Sequence, residues 1–127
     1  MTRRKQNDQQ LSYIRLSGIG NDVFGVSVPD RITITRRDWE EIQNDLEIIF
    51  SGPKRIILYF GKSSVLDKDL REFFATESYL QHCKKMVVVL QDEFQEVLMH
   101  GAAHERIADG IITLTYSEKE AEKFILK

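Results

Sequence analysis

The 127 residues make a chain the length of one domain, long enough to bury roughly two-thirds of the surface its unfolded form exposes. With 42% apolar and 30% charged residues, 7 Gly and 2 Pro, it is neither a disordered nor a collagen-like sequence. Lys and Arg total 18 against 20 acids, and this net charge of −2 argues against a dedicated nucleic-acid binder; one Cys excludes an internal disulfide or a Cys-based zinc site. No run approaches the roughly 18 apolar residues of a membrane span, and no charged start leads into an apolar leader, so a soluble, cytoplasmic protein is expected.

Residues 1–10 hold Arg3, Arg4 and Lys5 and no apolar side chain after Met1, so they read as a loose tail before a single domain over 11–127. Leu11 to Ser17 reads as a strand, and Val23 to Val28 as its hairpin partner, with Phe24, Val26 and Val28 on one face. Gly18, Gly20, Asn21 and Asp22 supply the turn. Thr35 with Asp38 forms a variant capping box, opening a helix with Trp39, Ile42, Leu46 and Ile49 on its apolar face; Ser51, Gly52 and Pro53 end it. Ile56 to Phe60 and Met86 to Leu90 are unbroken apolar runs, the pattern of strands buried on both faces. Between them Leu70, Phe73 and Phe74 mark a helix that continues or restarts after Thr76 through Tyr79 and Leu80.

Asp92 caps a further helix, whose apolar side is expected to carry Phe94, Val97, Leu98 and Gly101 and which ends at Asp109 and Gly110. Ile111 to Thr115 is a third short strand, and Ser117 with Glu120 caps a last helix containing Ala121, Phe124 and Ile125. The fold class is therefore α/β: a mixed sheet with an N-terminal hairpin and βαβαβα crossovers.

In open α/β sheets ligands sit beyond the carboxyl ends of the parallel strands. That rule selects Gly61, Lys62, Ser63 and Ser64 after the first buried strand, Gln91 and Asp92 after the second, and Tyr116 and Ser117 after the third. Asp67, Asp92 and Ser117 are most simply caps of their own helices. His100 and His104 stand four apart on one helix, but two imidazoles are not a metal site, and the glutamate of a zinc-protease helix is missing between them. Cys83 beside His82 reads as a small buried side chain rather than a nucleophile with its base. No catalytic residue, metal or cofactor is assigned.

The order of two strands, a helix and three strand–helix pairs, with Thr35 opening the first helix, a buried strand at Ile56 to Phe60, the loop Gly61 to Leu66 and Asp67 opening the next helix, resembles the STAS domain of sulphate transporters and anti-sigma factor antagonists, and a group of small bacterial STAS-like proteins. The resemblance spans about 11–127 and implies a non-catalytic switch that works by protein interaction. In the antagonists a serine after the aspartate is phosphorylated; here Asp67 matches the aspartate, but Lys68 stands in the serine position and Tyr59 where the family's strand ends in an acid. Ser63 and Ser64 remain as hydroxyls beside Lys62. The expected contact surface is Gly61, Lys62, Ser63, Ser64, Asp67 and Lys68, with a protein partner, no nucleic acid, and a homodimer as one possibility. The alternative is a small-molecule or lipid-binding domain, through a looser likeness to the CRAL-TRIO lipid-transfer proteins, with Phe73, Phe74, Phe94 and Met99 lining a pocket.

Overall fold

The computed structural model describes residues 15–20 and 22–127. The tail at 1–10 and the first residues of the expected opening strand lie outside that range. The hairpin is present as β1 (Arg15–Gly18) antiparallel to β2 (Val23–Ser27). From β2 the sheet continues through β4 (Lys54–Tyr59), β6 (Cys83–Val89) and β7 (Ile112–Thr115), each parallel to its neighbour, in the order β1-β2-β4-β6-β7. Both apolar runs are thus adjacent, same-direction inner strands, with Ile56 opposite Met86 and Tyr59 opposite Val89.

Side chains alternate along these strands, and the sheet builds a core on each face. On one face Phe24, Val26, Ile56, Leu58, Met86, Val88 and Ile112 pack beneath three helices: α1 (Arg36–Ile49), α2 (Lys68–Phe74) and α3 (Glu93–Ala108). The opposite face is smaller. There Val23, Ile57, Val87 and Val89 meet Ala121 and Ile125 of α4 (Glu118–Ile125). A short 3₁₀ turn (Glu77–Gln81) leads from α2 to β6 and buries Tyr79, whose ring lies 4.9 Å from that of Phe74.

Local chemistry sets the boundaries. The Thr35–Asp38 box closes in both directions: the Asp38 N–H donates to Thr35 Oγ1 at 3.1 Å, and the Thr35 N–H donates to Asp38 Oδ2 at 3.0 Å. Trp39, Ile42 and Leu46 are buried as expected, but Ile49 is exposed. In that last turn Phe50 packs against the core instead, as the chain turns through Gly52, at φ +98°, into β4.

A larger correction concerns α3. Phe94 and Val97 are 63% and 66% exposed, Gly101 is exposed and Leu98 only half-buried, while Gln95, Met99 and Ala103 face the core. The apolar residues that the sequence places inside form an outer stripe, and the buried face instead carries Gln95, whose amide is hydrogen-bonded to the rim loops.

Two further differences are local. β6 starts at Cys83, so Cys83 opens a strand rather than sitting on a helix beside His82. The segment Thr33–Ile34 (β3) pairs in parallel with Val65–Leu66 (β5), so the end of the expected loop Gly61 to Leu66 is one strand of a small ribbon.

Candidate functional site

The carboxyl ends of β2, β4 and β6 form a rim on which the expected contact residues meet, and their roles there divide in two. Gly61 must be glycine: a Cβ would stand 2.5 Å from the Pro29 carbonyl carbon and 2.6 Å from the Asp30 nitrogen, both backbone atoms with no room to retreat. The loop after β4 is thereby pressed onto the loop after β2 and then stitched to it. The Arg31 N–H donates to the Lys62 carbonyl at 2.8 Å, and the Lys62 N–H donates to Asp30 Oδ1 at 2.8 Å. Ser64 is wholly buried; its hydroxyl donates to the Pro29 carbonyl and accepts from the Ile32 N–H.

The third loop joins through Gln95. This side chain is 1% exposed, and its Nε2 donates to the carbonyls of Gly61 (2.8 Å) and Ser64 (2.7 Å), while its Oε1 accepts from the Gln91 N–H (2.7 Å). One amide thus satisfies three backbone groups from two loops, and the buried Ser64 carbonyl among them would cost about 1–3 kcal/mol if left bare. Gln95 was missed by the sequence reading. Its only signal was its place three residues after the Asp92 cap, where Gln or Glu completes a capping box.

Asp67 accepts from the Leu70 N–H at 2.9 Å and so caps α2, as Asp92 caps α3 through the Gln95 N–H and Ser117 caps α4 through the Glu120 N–H. What remains outward is Lys62, Ser63 and Lys68, all exposed, with neither lysine ammonium bonded to another described residue. Ser63 holds φ +60°, and so does Arg31 across the seam, a left-handed backbone that costs a non-glycine residue about 1–2 kcal/mol. The stitched loops hold both in place. Of the two hydroxyls beside Lys62, only that of Ser63 is open to another molecule.

Other candidates are dispersed. Cys83 is buried, accepts from the Tyr79 hydroxyl at 3.3 Å and donates to the Lys85 carbonyl; burial pushes its thiol up to about 11, so it holds no thiolate at neutral pH. His100 lies exposed with Nε2 3.7 Å from Glu96, whose other oxygen accepts from the Tyr116 hydroxyl at 2.5 Å. That bond pushes Tyr116 up to about 12. Phe73, Phe74 and Met99 are packed into the core while Phe94 points outward, so the four residues proposed to line a ligand pocket are not gathered around one space. Beside Met99 a space of only about 10 Å³ remains, lined by Phe60, Leu66 and Gln95 among others. A wider, open groove of about 560 Å³ runs between α2 and α3.

No protein-family model matches this sequence, and no curated protein matches it significantly. The architecture has a counterpart in a crystal structure from Shewanella loihica, an uncharacterized protein of the DUF3478 family with a SpoIIAA-like fold. The two superpose with a TM-score of 0.53 at 16% identity, over 88% of this chain and 91% of that one. The fold is SpoIIAA-like. The layout expected from the order of elements is therefore present, and Asp67 and Lys68 stand at the start of α2.

Proposed function

We propose that this chain is a non-catalytic, cytoplasmic interaction module of STAS type that docks a protein partner through Lys62, Ser63 and Lys68, with Gly61, Ser64 and Asp67 as the frame behind them. The observation that carries this reading is the division of the rim: its inner half is bonded into the fold, while its outer half presents two ammonium groups that no other described residue bonds, on a rim held in one conformation. A preformed loop binds without an ordering cost, and its charge suits an acidic surface. The polar groups of Ser64, Asp67, Asp92, Gln95 and Ser117 are spent on the fold, each bonded to backbone groups of the loops and helix starts.

Affinity capture from native cell lysate tests the reading. The unaltered chain is expected to retain a partner that a Lys62→Glu, Lys68→Glu double variant loses, with both proteins showing the same circular dichroism. Recovery of the same proteins by both would overturn the assignment of this surface.

A further inference from the structure

The outer stripe of α3 is the largest departure of this molecule from its own sequence pattern, and it borders the groove between α2 and α3. Phe94 and Val97 stand more than half exposed on the first two turns of α3, and Val97 continues into the groove floor with Leu98, Gly101 and Ala75. A Cβ on Gly101 would meet nothing within 4 Å, so the floor is open to an incoming side chain.

The charges along the two flanks of this stripe are ordered. On the α2 flank Lys68 lies nearest the rim, with Arg71 and then Glu72 one turn further down. On the flank facing Tyr116 the order is reversed in sign: Glu93 and Glu96 nearest the rim, then the imidazole of His100 beside Glu96. Both helices start at the same rim, so a cation on one flank is level with carboxylates on the other.

We propose that the occupant of this face is a second copy of the chain, packed stripe to stripe about a two-fold axis that runs along α3. Such an axis keeps the paired helices parallel and exchanges the flanks, setting Lys68 of each copy against Glu93 and Glu96 of the other and Glu72 against His100. An antiparallel pairing would instead bring like flanks together. Phe94 and Val97 then lose their contact with water at the centre of the interface, and the ion pairs at its edge select the orientation. The inference deepens the reading of Lys68 as a contact residue and rests on it there. Self-association and capture of a foreign acidic partner compete for that side chain.

Sedimentation equilibrium of the purified full chain at about 100 µM tests the interface, at a concentration suited to a small, weak contact. The unaltered protein is expected to show a mass above the 14.8 kDa of one chain and approaching twice that value. Phe94→Ser and Val97→Asp, both at exposed positions, are expected to return it to one chain. Lys68→Glu is expected to weaken association about tenfold or more, and the added Glu93→Lys change to restore it. A single-chain mass for the unaltered protein, association untouched by either stripe variant, or failure of the charge exchange to recover it would each overturn the proposal. The lysate capture on Lys62 and Lys68 reads out independently, because Val97→Asp leaves both lysines in place.

Discussion

The two ends of the sheet are fastened by different chemistry. At the carboxyl ends of the strands, loops are joined mainly by hydrogen bonds between neutral groups: the Gln95 amide, the Ser64 hydroxyl and the backbone of Pro29, Gly61 and Ser64. At the amino ends the fasteners are ions. Arg55 donates to Asp22 at 2.7 Å and to the Ile125 carbonyl at 3.0 Å, Lys84 pairs with Asp22 at 2.9 Å, and Lys85 donates to the Phe124 carbonyl. Lys54, fully buried, places its ammonium 2.7 Å from Glu47 and donates to the Gly52 carbonyl. Cations at the last carbonyls of α4 oppose the negative end of its dipole and hold down the one described helix on that face. Neutral bonds at the rim leave the Lys62 and Lys68 ammonium groups with no bond to another described residue, whereas at the other end the buried Lys54 and Asp22 each meet an opposite charge within the fold. Neutral stitching at one end and ionic closure at the other thus divide the same sheet between them.

The rim half of this comparison breaks most severely at Gly61. Gly61→Ala drives a Cβ into the Pro29–Asp30 backbone and is expected to cost about 3 kcal/mol or more, read as a large drop in the urea midpoint. A loss under about 1 kcal/mol would mean that the loops are not pressed together as described.

The ionic half is sharpened by acid. Arg55 and then Lys84 hold the Asp22 carboxyl far below its ordinary value of 3.8, and the Lys54 ammonium, the Gly52 N–H and the Ser51 hydroxyl hold Glu47 at about 2 rather than 4.5. Both carboxyls bind protons less readily folded than unfolded, so the stability they supply is complete above about pH 4.5 and drains away as pH falls toward 2. Asp22→Asn is expected to cost about 2 kcal/mol at neutral pH and to flatten part of that acid slope. Denaturation midpoints at about pH 7 and pH 3 would show it; equal slopes in both proteins would place the acid sensitivity elsewhere.

The smallest effect lies outside either end. Gln43 on α1 is buried with neither amide atom hydrogen-bonded to a described residue, so Gln43→Leu is expected to leave stability unchanged or raise it by about 1 kcal/mol, the reverse of most core substitutions. A loss of about 2 kcal/mol in thermal unfolding would reveal a partner for that amide.

Much of the framework was legible in the residues. The apolar runs at Ile56–Phe60 and Met86–Leu90 became neighbouring parallel strands, and Thr35, Asp67, Asp92 and Ser117 each cap the helix they were assigned. The rim was legible as a place but not as a division of labour: nothing in the order Gly61-Lys62-Ser63-Ser64 tells the buried hydroxyl from the exposed one, because that depends on where Pro29 lies, more than thirty residues earlier. The two-residue strands β3 and β5 were too short to carry a period, and the pattern on α3 pointed to the wrong face.

Sequence alone determined the longer elements, their order and their caps, since periodicity and capping are written within a few residues of one another. Tertiary structure alone decided which side of α3 faces the core, which serine is sealed and which lysines are drawn into the fold. Those outcomes turn on contacts such as Gln95 with Gly61 and Ser64, or Gly61 with Pro29, which join segments about thirty residues apart and exist only once the sheet has brought their loops to a common edge.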